Sequence, residues 1–278
     1  MQQLLRDKAE GTFLWVSLVC RELEGVPLYR TREVLQALPP GLNPLYERMM
    51  AHIKAQDAKT AGYCKAALQL ITLAFRPLQL GELAVAAGLP RDQFRDVQAV
   101  ADLVGRCGSF LTVREGVVSF IHLSARDYFT AGNGWQVFNG TGPEEQGQLA
   151  ECLLDVIDCT LQRDMCGLQK PGARVQEAKG RVWQSCLARI AYACEYWVEH
   201  LQASGRSCSS ILADGGKVHS FFQRHLLHWL EAMSLVQKMP EAILALQKLE
   251  AILSVSYGLA GKGNVTNPYI REQKAQQC

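Results

Sequence analysis

Apolar residues recur every three or four positions along much of the chain, the spacing that places them on one face of an α-helix. The first such stretch, residues 13–19, predicts a helix that ends near Gly25. Farther along, Asn43 suits the cap of another helix, with Pro44 at its first position, where a missing N–H costs nothing. The apolar face of this second helix is predicted to consist of Leu45, Met49 and Ile53.

Residues 60–131 show a different order of elements, with three short helical patterns followed by two β-type runs. The runs Ser109–Val113 and Val117–Ile121 are joined by Arg114-Glu115-Gly116, a short connection that predicts a hairpin. Three helices followed by a hairpin are typical of a winged helix-turn-helix. Ser124 and Asp127 fit a capping box at the start of a further helix.

Helical periodicity returns after a glycine-rich passage at residues 132–142, which predicts a loop or boundary. Two aromatic-containing stripes follow, and another helix is predicted to begin at Pro240. The first stripe is Trp183, Leu187, Ile190, Cys194, Trp197 and Leu201, and the second is Phe222, Leu226, Trp229, Met233 and Val236. We interpret both as the core between packed helices.

The predicted fold class is therefore mainly α, with a winged helix and its small β-hairpin inserted between helical parts. We place a helical segment at residues 1–57 and the winged-helix domain at 58–131. A helical bundle or superhelical linker domain is predicted at 132–257. The glycine-rich and polar residues 258–278 are predicted to be a flexible tail.

Composition supports a folded chain, since 48% of the 278 residues are hydrophobic and 20% are charged. The formal net charge of +2 gives no reason to expect nucleic acid or an anionic membrane as a partner. The ten cysteines include no C-x-x-C pair, and Cys152, Cys159 and Cys166 are predicted to be small buried residues. No apolar run approaches the ~20 residues of a membrane span, and no signal peptide is evident, so we predict a cytoplasmic setting.

Motifs for nucleotide hydrolysis are missing from the sequence. A P-loop needs G-x-x-x-x-G-K-[ST], whose backbone N–H groups and Lys hold phosphates. The nearest string, Gly258–Gly263, has the wrong glycine spacing and no Ser or Thr after its Lys. No G-x-S-x-G or H-E-x-x-H occurs, and His225 and His228 lack a convincing third ligand. We therefore predict no catalytic residue and no metal site.

His122 is the polar residue that we single out, because it ends a predicted strand two residues before Ser124. A helix N-terminus presents free N–H groups and positive partial charge, which suit an anion. A histidine at this place can donate a charge-assisted hydrogen bond to a phosphate. The alternative is a half-buried histidine that bonds to nearby backbone, and the sequence leaves both interpretations open.

Several short strings resemble fungal NACHT-type NTPases, members of the signal-transducing STAND class that are akin to the heterokaryon-incompatibility proteins of fungal innate immunity. The resemblance extends over roughly residues 5–257. In the first half it rests on Gly11–Val16, Leu38–Leu42, Leu45–Met49, Arg76–Leu78, Glu82-Leu83, Phe120–Ser124 and Asp127–Phe129. In the second half it rests on Tyr192–Cys194, Trp197, His200-Leu201 and His225–Glu231.

The resemblance implies a layout of P-loop domain, small helical domain, winged helix, helical linker and often WD40 or ankyrin repeats. By that layout the chain begins at the last helix of the P-loop domain and stops before any repeats, so both Walker motifs are missing. His122 falls on the winged-helix histidine position, which implies a contact with ADP phosphate. Gly11 and Phe13 fall where relatives carry a Gly-x-Pro turn near the adenine, with Phe13 in place of the proline.

The expected function is that of the regulatory, non-catalytic portion of a NACHT/STAND NTPase, which gates an ADP/ATP-dependent switch and relays it to a sensor or effector. No cofactor is expected on the chain alone, since ADP or ATP is implied only with a P-loop domain in cis or in trans. Protein partners are expected through the helical region, and oligomerisation is possible. Nucleic acid and membrane are not expected partners.

Two alternatives stay open. The chain could be a protein-interaction scaffold with no nucleotide role, because its Trp-rich helical half can dock a partner. It could also be a winged-helix DNA-binding protein, whose third helix would then be basic. The candidate helix, residues 91–106, is charge-balanced, which weakens phosphate attraction. Its charged residues are Arg91, Arg95 and Arg106 against Asp92, Asp96 and Asp102.

Overall fold

The computed structural model describes residues 2–130, 134, 138, 142–169, 180–182, 185–205 and 209–260. The chain forms two compact units, Met1–Gly140 and Thr141–Cys278. It is mainly helical with one small antiparallel sheet, which confirms the predicted fold class. The finer domain boundaries at residues 57 and 131 stay predictions.

The first unit begins with four helices that bury one apolar face each. They are α1 (Gln2–Ala9), α2 (Phe13–Leu23), α3 (Leu28–Ala37) and α4 (Leu42–Lys54). The predicted face of α4 is buried. Its predicted cap, Asn43, was wrong, because α4 begins at Leu42 after Gly41. Gly41 has φ 73°, a conformation that glycine adopts readily, and its N–H donates to the Lys8 carbonyl at 3.0 Å.

The rest of the first unit alternates short helices with short strands. Its elements are α5 (Ala58–Leu73), β1 (Leu78–Gln79), α6 (Leu80–Ala86), α7 (Val97–Arg106), a 3₁₀ turn (Gly108–Phe110), β2 (Leu111–Arg114), β3 (Val117–Phe120) and α8 (Leu123–Thr130). The predicted hairpin is confirmed, and β2 pairs antiparallel with β3. Glu115 and Gly116 have φ 51° and 79°, as a two-residue type I′ turn requires. The first strand begins two residues later than predicted, because residues 108–110 form the 3₁₀ turn.

Strand β1 is the element that sequence analysis missed. It makes the sheet three-stranded in the order β1-β3-β2, with Leu78 opposite Val118. Both of these side chains are fully buried. A strand of two residues is too short to show an alternating pattern, so the pairing partner alone makes it recognisable.

Two helix starts in this unit differ from those predicted. Helix α7 begins at Val97 and not at Arg91, because the Asp96 side chain caps it by accepting from the Gln98 N–H at 2.9 Å. Helix α8 begins at Leu123, so the capping box of Ser124 and Asp127 was wrong. The Ser124 N–H instead donates to Nδ1 of His122 at 3.1 Å, which makes His122 the cap of α8.

The described residues of the second unit include the helices α9 (Gly142–Thr160), α10 (Leu187–Ala203), α11 (Ser209–Leu212), α12 (Lys217–Leu235) and α13 (Met239–Ala260). The first predicted stripe is buried along α10, apart from Trp183, which lies outside the described residues. Trp197 and Trp229 meet edge to face at 6.4 Å, and Trp229 Nε1 donates to the Cys194 carbonyl at 3.0 Å. These aromatic residues therefore form helix-packing core, as interpreted.

Some details of the second unit correct the sequence interpretation. On α12, Phe221 is fully buried, whereas Phe222 is half-buried. Cys159 is exposed, and Cys166 lies beyond the end of α9, so the three cysteines do not share one buried helix face. Helix α13 continues to Ala260, past the predicted start of the tail. Within the described part of the chain, no helix is both long enough and apolar enough to cross a membrane.

Candidate functional site

His122 lies between the sheet and α8, two residues after the central strand β3 ends. Its side chain is exposed. The hairpin determines where the strand ends, and the start of α8 turns the chain at this residue. The ring is therefore carried by regular elements on both sides and not by a long loop, which favours a defined position for it.

Hydrogen bonds define the state of the ring. Its Nδ1 accepts from the Ser124 N–H at 3.1 Å and lies 2.9 Å from the Ser124 hydroxyl. A backbone N–H can only donate, so Nδ1 is an acceptor and the neutral ring carries its proton on Nε2. Among the described residues Nε2 has no hydrogen-bond partner. His122 thus caps α8 through Nδ1, as the backbone-bonded interpretation requires, although its side chain is exposed and not half-buried. The contact with a phosphate stays a prediction.

Ser124 is itself held by an aromatic cluster. Its hydroxyl lies 2.9 Å from the hydroxyl of Tyr46, a fully buried residue of α4. The Tyr46 ring stacks on Phe110 with centroids 5.4 Å apart, and Phe110 contacts Phe129 at 4.9 Å. Burial raises the pKa of Tyr46, so its hydroxyl stays protonated and available for this hydrogen bond. The cluster therefore positions the serine that positions the imidazole.

A cavity of about 290 Å³ lies beside the ring, within the first unit. Its polar lining comes from His122, Arg76, Arg126 and Ser119. Its apolar lining includes Phe75, Val118, Phe120 and Leu123. A lining that combines basic and apolar side chains suits an anionic group attached to a less polar body.

The two arginines differ in whether a carboxylate neutralises their charge. Arg76 makes a bidentate ion pair with Glu82, with both N–O distances 2.8 Å. Glu82 is fully buried and also accepts from the Gln79 N–H at 2.9 Å, so this pair is structural. Arg126 is exposed and follows His122 by four residues, which places both on one side of the first turn of α8. In the part of the chain that the structure describes, Arg126 makes no ion pair, so it supplies the free positive charge at the cavity.

The other predicted site residues lie elsewhere. Gly11 is in the turn between α1 and α2 with φ 77°, and Phe13 is the first residue of α2 with its side chain 91% exposed. Neither lines the cavity beside His122. Of the three predicted residues, the cavity is therefore lined by His122 alone.

Sequence analysis missed Arg126, Ser124 as a positioning residue and Tyr46. The spacing of four between His122 and Arg126 was a usable signal for the first of these. Tyr46 had no such signal, because its contact with Ser124 spans 78 residues.

No group of three metal-ligating side chains occurs among the described residues. The Nδ1 atoms of His225 and His228 are 3.1 Å apart, and Asp158 Oδ1 lies 3.8 Å from Nε2 of His225.

Comparison with known proteins identifies one informative similarity. No protein-family model matches the chain, and no solved structure matches it. The chain is 35% identical over 273 residues to the vegetative incompatibility protein HET-E-1 of Podospora anserina. The match covers 91% of this chain and 20% of that protein, so the chain spans about a fifth of its relative's length. This similarity supports a HET-E-like family for the chain.

Proposed function

We propose that this HET-E-like chain is the regulatory, non-catalytic part of a NACHT-type STAND signalling NTPase. In this role His122 contacts the phosphate of ADP held by a P-loop domain, in cis or in trans. The observation that carries the proposal is the free Nε2 donor of an imidazole whose other nitrogen is occupied by Ser124. The relative's role in vegetative incompatibility is consistent with a signalling function.

The order of elements supports a winged helix at residues 58–131. Helices α5, α6 and α7 precede the hairpin, and β1 joins the hairpin as a third strand. A DNA-binding role is less well supported, because α7 itself carries only Asp102 and Arg106 as charged residues. Arg91 and Arg95 lie before the helix and not on it. The balanced charge of α7 gives little attraction to a phosphate backbone.

The proposed switch has two states. With ADP bound, the Nε2–H of His122 donates to a phosphate oxygen and Arg126 adds a second positive contact. Exchange for ATP removes this bond and lets the winged helix move away from the P-loop domain. The helices of the second unit then pass the change to a sensor or effector through protein contacts, and assembly into oligomers is compatible with this scheme. The setting is cytoplasmic.

Reconstitution with the P-loop domain of a NACHT-type relative tests the proposal. We expect His122→Ala to weaken ADP retention by about 10- to 100-fold, the worth of one hydrogen bond to a charged group. The matched control is His219→Ala, an exposed histidine of the second unit, which should leave ADP retention unchanged. Alone, the chain should bind ADP weakly or not at all in calorimetry.

The same experiment separates the alternatives. Equal ADP retention by the His122→Ala variant and the unmodified chain would contradict the switch and favour a scaffold without a nucleotide role. Exposed apolar side chains on α12 and α13, among them Leu227 and Ile243, offer such a scaffold a docking surface. Salt-dependent retention of duplex DNA would instead favour the winged-helix DNA-binding alternative.

A further inference from the structure

The cavity beside His122 has walls from three segments of the first unit that are distant in the chain. Residues 74–77 after α5 form one wall, residues 118–120 of β3 form another, and the start of α8 forms the third with His122, Leu123 and Arg126. Two arginines and a histidine belong to this lining, and none of the lining residues carries a carboxylate. The cavity therefore favours an anion.

A second cavity of the first unit has a different balance of charge. Its volume is about 330 Å³, and its lining includes Glu22 as well as His52 and Arg106. A carboxylate within the lining offsets the attraction of the two basic residues for an anion. The preference for an anion is thus a property of the cavity beside His122 and not of both cavities.

Two donors at the cavity are available to one anion. The neutral His122 ring carries its proton on Nε2, which has no partner among the described residues. Arg126 follows by about one helical turn, so one headgroup can accept hydrogen bonds from both side chains. Arg76 is different, because its two terminal nitrogens each lie 2.8 Å from an oxygen of Glu82.

Apolar side chains at the same cavity are open to solvent. Leu123 is 64% exposed and Phe75 is 49% exposed, although both are large hydrophobic residues. A bare inorganic anion would leave them uncovered, whereas an attached ring or alkyl group would remove apolar surface from water. The cavity volume of about 290 Å³ equals about ten water volumes, which limits the ligand to a small molecule.

Contacts behind the cavity hold two of its walls in place without a ligand. The bidentate ion pair between Arg76 and Glu82 fixes the segment after α5. Ser124, whose hydroxyl lies 2.9 Å from that of Tyr46, positions the His122 ring. A site whose groups are already placed loses less conformational entropy when a ligand binds.

We propose that this cavity binds a small organic anion, a phosphate or carboxylate carried on an aromatic or aliphatic body. The headgroup accepts hydrogen bonds from Nε2 of His122 and from the Arg126 guanidinium, and the body covers Phe75 and Leu123. The ligand is a free small molecule and not a nucleotide held by a P-loop domain. The site therefore goes beyond the proposed switch and operates in the chain alone.

Calorimetry of the chain alone with matched probes tests this proposal. Phenyl phosphate is compared with inorganic phosphate, and phenylacetate with acetate, so that each pair differs by the aromatic ring. Benzyl alcohol supplies the ring without the charge. We expect at least one aromatic anion to bind about 10-fold more tightly than its ring-free partner and than benzyl alcohol, because charge and apolar contact act together.

Variants locate the binding at this cavity. Arg126→Met should weaken binding of the aromatic anion about 10-fold, the worth of one hydrogen bond to a charged group. The matched control is Arg32→Met, which replaces an exposed arginine of α3 outside the cavity and should retain binding. Leu123→Ser should reduce the advantage of the aromatic anion over its ring-free partner. Circular dichroism checks that each variant is folded.

Two results would overturn the proposal. One is that neither aromatic anion binds the unmodified chain more tightly than its ring-free partner, a comparison that needs no variant. The other is that folded Arg126→Met and Arg32→Met bind the aromatic anion equally. These titrations contain no nucleotide and no P-loop domain, so their failure leaves the proposed switch untouched. Equal ADP retention by His122→Ala in the reconstituted pair contradicts the switch and not this site.

Discussion

The hydroxyl groups of Tyr46 and Ser124 lie 2.9 Å apart, although 78 residues separate them in the chain. Tyr46 belongs to α4 and Ser124 to the first turn of α8. Because Ser124 also contacts Nδ1 of His122, the orientation of the imidazole depends on a helix from the N-terminal segment. The proposed site is therefore built from two parts of the first unit that the sequence pattern treats as separate.

Tyr46→Phe should lower the free energy of unfolding by about 1 kcal/mol, since it removes one partly buried hydrogen bond and keeps the aromatic ring. Tyr63→Phe is the matched control. The Tyr63 hydroxyl lies 3.5 Å from Gln93 in an exposed contact, so its loss should change stability by less than about 0.5 kcal/mol. Urea denaturation measures both values. Equal losses in the two variants would show that the Tyr46 hydroxyl does not hold Ser124.

Arg76→Met should destabilise the first unit by about 3 kcal/mol, because it leaves the Glu82 carboxylate buried without its counter-ion. The Glu82 side chain is 3% exposed and that of Arg76 28%, so solvent screens this pair little. Arg126→Met, on the same cavity but exposed, should cost less than about 0.5 kcal/mol in urea denaturation. Adding Glu82→Gln to Arg76→Met should restore part of the loss, and a double variant less stable than Arg76→Met would contradict the buried-charge explanation.

The structure shows which features of this fold are local enough to predict. The α10 stripe and the β2–β3 hairpin were predicted because periodicity and turn residues are properties of short segments. Strand β1 and the contact between Tyr46 and Ser124 were missed, since each exists only through a partner distant in the chain. Position and resemblance pointed to His122, but the free Nε2 donor follows from hydrogen bonds that no pattern records.

His200 should make the second unit acid-sensitive. Burial lowers its pKa to about 3, and its Nε2 lies 2.7 Å from the Tyr192 hydroxyl. The unfolded chain, with an imidazole pKa of about 6.5, therefore binds the proton first as the pH falls. Above the unfolded-state pKa of about 6.5 the imidazole is neutral in both states, and it costs the folded chain nothing. Between that pH and about pH 3 the free energy of unfolding falls by up to about 1.4 kcal/mol per pH unit.

Urea denaturation from about pH 7 to about pH 4 measures this contribution as a difference between the unmodified chain and His200→Gln. We expect the variant to be less stable at neutral pH, because it repacks a buried network, and to depend less steeply on pH. Carboxylates contribute equally to both proteins and cancel in the comparison. An NMR titration in which the His200 ring of the folded chain ionises near the ordinary histidine pKa would contradict the prediction.

Lys217 should contribute little to stability despite its short contacts. Its Nζ lies 2.6 Å from Glu151 and 2.9 Å from Asp155, so it joins α12 to α9. Hydrogen bonds to Asp155 and Glu151 raise its pKa, so this contribution is present at neutral pH and is lost only as the pH rises through that raised value. All three side chains are substantially exposed, and exposed ion pairs contribute about 0–1 kcal/mol.

Lys217→Ala should therefore lower the free energy of unfolding by less than about 1 kcal/mol, and about 1 M salt should remove most of the difference. Trp229→Ala provides the contrast on the same helix, α12, because it empties a buried site and removes the indole N–H that donates to the Cys194 carbonyl of α10. It should cost about 3–5 kcal/mol, independently of salt. A loss at Lys217 as large as that at Trp229 would mean that charge, and not aromatic packing, holds α12 in place.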